Sequence, residues 1–267
     1  VRRRVVAAAA ALALAIVALS GWGFVKLHQS LLAHDPSVVP ATFSALVITL
    51  AYMFSVSLAV GGAFLGAPAI ASDVDSGLLL AILPRPIRRA DVVLGKWLAL
   101  CVLLAAFSFT FGGLELTVIR VISGYAPPHP LTALALLAFV GIATATLALA
   151  LGTRFSPIAA GVVVVALFGF AWISGVAVTI AAAFGNATLV HAGTVVALLM
   201  PTDALWRGAL TALEPAMLLA ASATPQGGRL LGPFAGAPPP PAFLAWSVLW
   251  TLGVLAAAVA AFRTRDV

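Results

Sequence analysis

The 267-residue chain is 63% hydrophobic and only 8% charged, with a formal net charge of +6. Soluble domains carry about 25% charged residues, so this scarcity of charge excludes a soluble globular fold. Apolar runs near the roughly 20 residues that cross a bilayer recur along the chain, without the alternation of a barrel strand. The class is all-α, polytopic and membrane-embedded.

Six spans are predicted, at about 5–25, 42–66, 97–119, 131–151, 157–180 and 243–262. The first comes directly after Arg2, Arg3 and Arg4. With "ALS" before Gly21 that pattern also fits a signal peptide, but "GWGFV" extends the run to spanning length. The second holds "GGAFLG", whose Gly62 and Gly66 form a GxxxG helix-packing signature that would also suit a dimer contact. Between spans two and three lies a connection, 67–96, whose residues 73–96 hold 7 of the 22 charged side chains. Its apolar core "SGLLLAIL" is too short to cross, covering about 12 Å as a helix. Asp73 and Asp75 suit the N-terminus of such a helix, and Pro84 and Pro86 would end it.

Within span three, Cys101 reads as a buried, inert thiol, and as the only cysteine it excludes a disulfide within the chain. Glu115 is the main intramembrane charge: either a polar point on a translocation path or a partner for Arg120, one turn outward. Between spans five and six, 181–242 is apolar but broken by prolines, and "HAGTVVALLM" and "TDALWRGALTAL" are too short to span. These pieces read as short helices lying in the interface or dipping into it, with two further hidden spans as the alternative. Thr202 or Asp203 should begin one of them, with Asp203 beside Arg207 as an exposed pair worth under about 1 kcal/mol.

Lys and Arg set the orientation. With the N-terminus inside, ten fall on the cytoplasmic side and four (Lys26, Arg120, Arg207, Arg229) outside. Both termini and the 67–96 connection are then cytoplasmic, and 181–242 lies outside. The basic residues flank spans without interleaved aromatics, which favours lipid headgroups over nucleic acid as their partner. No GxxxxGK[ST], HExxH or GxSG occurs, and the four histidines are scattered, so no site for ATP, metal or nucleophilic catalysis is readable. The reading is of a non-enzyme; an intramembrane enzyme is the disfavoured alternative.

The order of residues in the charged connection resembles the coupling loop of ATP-binding-cassette (ABC) type-2 permeases. There an acidic pair precedes Gly, a Leu-rich turn, Pro, a basic residue and Gly-Lys. Here those positions are Asp73 and Asp75, Gly77, Leu79 to Leu83, Pro86, Arg89, and Gly95 with Lys96. The acids are Asp where the family usually has Glu, Leu78 comes after the glycine, and Pro84 is additional. "LLMPTDALWR" is similar to a run in the NosY-type permeases of nitrous-oxide reductase maturation, with Pro201 and Asp203 matching and Met200 in place of Asn. "GTRFSPIAAG" and "PPAFLAWSVLW…AAFRTR" are similar too. Such permeases begin with a cytoplasmic amphipathic helix, whereas this sequence has "RRR" alone; either it starts late or the middle loop grips the ATPase by itself.

The resemblance implies an exporter permease subunit of the bacterial plasma membrane. It implies a homodimer with two cytoplasmic ABC ATPase subunits that hold ATP and Mg, with no cofactor on this chain. An outer-side accessory protein and a role in copper-enzyme maturation are expectations of the NosY likeness. A complex that moves no solute and transmits force instead would carry the same loop.

Overall fold

The computed structural model describes residues 2–75, 88–214 and 238–263. Among them there is no strand. The helices are α1 (Arg2–His34), α2 (Val39–Gly66), α3 (Pro68–Asp75), α4 (Arg89–Phe107), α5 (Gly113–Ser123), α6 (Pro130–Gly152), α7 (Pro157–Ala183), α8 (Ala187–Leu199), α9 (Thr202–Leu213) and α10 (Pro241–Arg263). A 3-10 turn (Pro36–Val38) precedes α2, and a π-helical segment (Ser108–Gly112) joins α4 to α5.

Six of these stretches are long and apolar enough to cross a membrane: Ala11–His34, Pro36–Ser72, Arg89–Ser123, Pro130–Gly152, Pro157–Ala182 and Pro241–Arg263. The chain is therefore a multi-pass helical membrane protein. Each crossing outruns the apolar run that signalled it. Local chemistry sets several ends: Asp35 caps the 3-10 turn through the Ser37 amide at 3.0 Å, and Ser156 caps α7 with Pro157 as its first residue. Gly124 and Gly185 close α5 and α7 at φ of 72° and 70°, where a side chain would strain the backbone.

The central helix is α6, 61% of whose apolar window is buried, against 11–39% in the other five. It packs against α2, α4, α7, α9 and α10. Its seam with α2 is built on glycine. A Cβ on Gly62 would lie 2.4 Å from the Gly141 carbonyl oxygen, and one on Gly66 2.3 Å from that of Ala145. The GxxxG of span two is thus spent inside the chain and is not a free dimer face. Small residues let two backbones approach closely where lipid gives helices no hydrophobic reason to associate. Outward-facing Leu12, Leu19, Trp22, Val102, Ile158 and Phe170 stay exposed, as lipid contact demands. Cys101 is only half-buried.

Candidate functional site

Among the described residues three polar places interrupt the apolar bundle. The first is the end where α3, the start of α4, Arg154 and Arg263 gather, the basic end of the bundle. Asp73 and Asp75 lie on α3, which begins at Pro68 and carries no acid in its first turn. They occupy the closing residues of this helix, whose first residue is Pro68; the helix over 76–83 that they are expected to begin lies outside the described residues. Gly77, the Leu79 to Leu83 turn, Pro84 and Pro86 fall outside the described residues.

Across the connection, Arg89 opens α4 and donates through Nη1 to the Arg263 carbonyl at 3.4 Å. Gly95 faces open space. Lys96 reaches back through Nζ to the Ala69 carbonyl of α3, and its neighbour Trp97 donates from Nε1 to Thr146 Oγ1 of α6 at 2.8 Å. An ammonium on a backbone carbonyl is a charge-assisted bond. The two flanks of the charged connection are thereby fastened to each other and to the central helix. The Trp97–Thr146 bond had no signal in the sequence, since it depends on how α4 and α6 meet.

The second place lies within the third crossing. The π segment carries one more residue per turn than an α-helix allows, rotating the remainder of the crossing by roughly 100°. Ser108 at its start donates to the Leu134 carbonyl of α6 at 2.8 Å. Beyond it, Glu115 lines a cavity of about 290 Å³ between α1, α2, α5, α6 and the end of α9. Its Oε1 is buried with no hydrogen-bond partner among the described residues. Ser20 of α1 approaches the carboxyl, but its proton goes to the Val17 carbonyl at 3.0 Å. Among the described residues no ion pair joins Glu115 to Arg120, which points to the exposed side, so the pairing expected between them is not formed.

The third place is the hairpin of α8 and α9, bent by 97°. Asn186 caps α8 by accepting from the Leu189 amide at 3.2 Å. At 13 and 12 residues, α8 and α9 are each about 20 Å long or less. Each is too short to cross alone, so they do not form two further spans; by length and composition the bent pair is one broken crossing or a re-entrant loop. Asp203 and Arg207, one turn apart on α9, pair at 2.7 Å between Oδ2 and Nε. The pair is not exposed: the two side chains retain only 9% and 18% of their accessible surface. The Asp203 carboxyl occupies the space left by Gly175 of α7, where a Cβ would sit 2.2 Å from Oδ2. Beside it Tyr52 of α2 contacts Trp172 and Trp206, with ring centroids 5.4 and 5.6 Å away. Sequence spacing found the pair; the socket at Gly175 is a tertiary contact it does not encode.

Past the end of α9, the Tyr125 hydroxyl donates to the Leu213 carbonyl at 2.9 Å and the His129 amide to that of Ala212 at 3.0 Å. Glu214 comes next, with Oε2 buried and unpartnered among the described residues. Burial raises its carboxyl from 4.5 to about 7. Between those values the folded protein keeps a proton that the unfolded chain releases, so stability falls as pH rises through that window. Thermal unfolding in neutral detergent should give a higher Tm at pH 5 than at pH 8. Glu214→Gln should flatten that dependence; an unchanged slope would remove Glu214 as its source.

No protein-family model matches the chain, and no curated protein matches it in sequence. Among the described residues no group of three or more His, Cys, Asp or Glu side chains is placed to hold a metal ion. What the arrangement offers is a charged connection braced at both flanks, an apolar chamber holding one carboxyl among the described residues, and a buried ion pair locking the bent α8–α9 pair.

Proposed function

We propose that the chain is the permease subunit of an ATP-binding-cassette exporter of the type-2 class, with 67–96 and both termini in the cytoplasm of a bacterial cell. The observation that carries this reading is the bond from Lys96 to the Ala69 carbonyl across the charged connection. A segment that only marked topology would need no such brace. A load applied to 73–96 would reach α3 and α4 together, and through Trp97 the central helix α6. Rigid elements fastened in this way move as a body, as coupling to a separate motor requires. ATP and Mg would be held by the partner ATPase, two copies of which would serve a permease dimer. The likeness of 198–207 to the NosY type favours copper-enzyme maturation as the setting, with an accessory protein meeting the α8–α9 hairpin outside.

The test is co-purification of the tagged chain with an ABC ATPase encoded beside it, together with the ATPase rate. Gly77→Trp and Arg89→Glu should each lower recovery of the ATPase at least tenfold while the permease stays monodisperse. Full recovery and stimulation with both changes would defeat the coupling assignment. In a Cys101→Ser background, Arg88→Cys should react with a membrane-impermeant maleimide only after the cells are opened. Labelling in intact cells would reverse the orientation and the reading with it.

A further inference from the structure

We propose that the chamber around Glu115 is a binding site for a lipophilic monovalent cation, an aromatic or alkyl ammonium or phosphonium that enters from the apolar phase. Its volume of about 290 Å³ is that of a small-molecule pocket. Among the described residues the lining is almost wholly apolar, and Glu115 is the one charged side chain in it. The other polar one, Ser57, donates its hydroxyl proton to the Met53 carbonyl at 2.9 Å.

The site has what a soft cation needs and little for anything else. A carboxylate oxygen buried without a donor costs several kcal/mol to leave uncompensated in a low-dielectric interior. A cation placed there gains the attraction that the described residues do not supply. Three aromatic rings stand beside it. Phe54, Phe107 and Phe111 all line the chamber, Phe54 and Phe107 stacked at 5.7 Å and Phe107 meeting Phe111 at 4.8 Å. Ring faces attract weakly hydrated cations and not anions. A small hydrated metal ion would find a single carboxylate and no further oxygen set, which excludes it as the preferred occupant.

Local structure maintains this arrangement. Without the extra residue of the π segment, Glu115 would be turned by roughly 100° away from its present direction. Gly112 leaves the room that Phe54 fills, since a Cβ there would meet its Cε1 at 3.1 Å and Leu134 Cδ2 at 2.5 Å. Ile16 and Met53 line the chamber while remaining 58% and 52% exposed, so it opens laterally between α1 and α2. A compound dissolved in the hydrocarbon phase reaches it without crossing water. That such a cation is exported would rest on the permease reading above; that it binds does not.

The full chain in phosphatidylcholine nanodiscs would be titrated by calorimetry with tetraphenylphosphonium, and separately with tetraphenylborate, an anion of the same shape, subtracting empty nanodiscs. Saturable binding of one phosphonium per chain is expected, with at least tenfold weaker binding of the borate. That comparison needs no variant. Glu115→Gln, which keeps shape and loses charge, should weaken phosphonium binding at least tenfold, and Phe111→Leu several-fold. Equal affinity for both ions, or unchanged affinity in Glu115→Gln, would make the chamber a non-selective apolar cleft and overturn the proposal. Loss of ATPase association with binding intact would instead defeat only the permease reading.

Discussion

Gly66→Val should leave almost no monodisperse protein, at a cost of about 3 kcal/mol or more. The reason is what stands opposite. The Cβ would lie 2.3 Å from the Ala145 carbonyl oxygen and 3.0 Å from its Cα, and these are backbone atoms of the central helix that cannot rotate away. The same holds one turn earlier, where Gly62 faces the Gly141 oxygen at 2.4 Å and Thr144 Oγ1 at 2.7 Å. Thr144 is itself occupied, donating to the Gly141 carbonyl at 2.9 Å. The seam continues at the basic end, where Gly152 faces the Ala67 oxygen at 2.4 Å. To admit one methyl group, α2 and α6 would have to separate along the seam and lose packing at every step. Gly61 is the control, on the same helix with nothing within 4 Å of its Cβ. Gly61→Val should express and elute as the parent does. If Gly66→Val matched it in fluorescence-detected size exclusion, the α2–α6 seam would not be the axis of the bundle.

That seam shows where sequence reasoning reaches and where it stops. Gly62 and Gly66 were legible as a packing signature, because close backbone approach needs small residues at that spacing. Their partner was not legible, since Gly141 and Ala145 sit in a run of small residues with many equivalent registers. The six crossings were readable because burial in lipid is a compositional demand that each segment meets alone. Their ends were not. Helix α1 continues through Lys26 and His28 to His34, because main-chain hydrogen bonds do not require apolar side chains. Helix α3 runs through what hydropathy marks as the start of a loop. Glu115 was legible as an intramembrane acid, but its chamber depends on a π segment with no sequence signal. Its expected pairing with Arg120 failed because residues five apart on a helix point about 140° from each other, and Arg120 falls on the exposed side.

Gly175→Ala should be as damaging as any change at the α8–α9 hairpin. Sequence spacing placed Asp203 beside Arg207 as an exposed pair of little consequence, and in the structure that pair is enclosed against α7. The added methyl would fall 2.3 Å from Asp203 Cγ and 2.2 Å from Oδ2, inside the carboxylate. Asp203 has little room to yield, since it is held by Arg207 at 2.7 Å on a helix with ten buried residues. Removing one member of a buried pair costs about 3–5 kcal/mol, because the other charge is left without compensation. Arg207→Met alone should therefore lower the Tm in detergent steeply, and Asp203→Ala likewise. Replacing both by apolar groups removes the stranded charge and should recover most of the loss. The decisive combination adds Gly175→Ala to that double change. With the carboxylate gone the methyl has a space to enter, so its penalty should shrink from several kcal/mol to under about 1 kcal/mol, the interaction energy of residues in direct contact. Equal penalties in both backgrounds would mean that Gly175 is needed for some reason other than Asp203, and that the hairpin is seated by its apolar face alone.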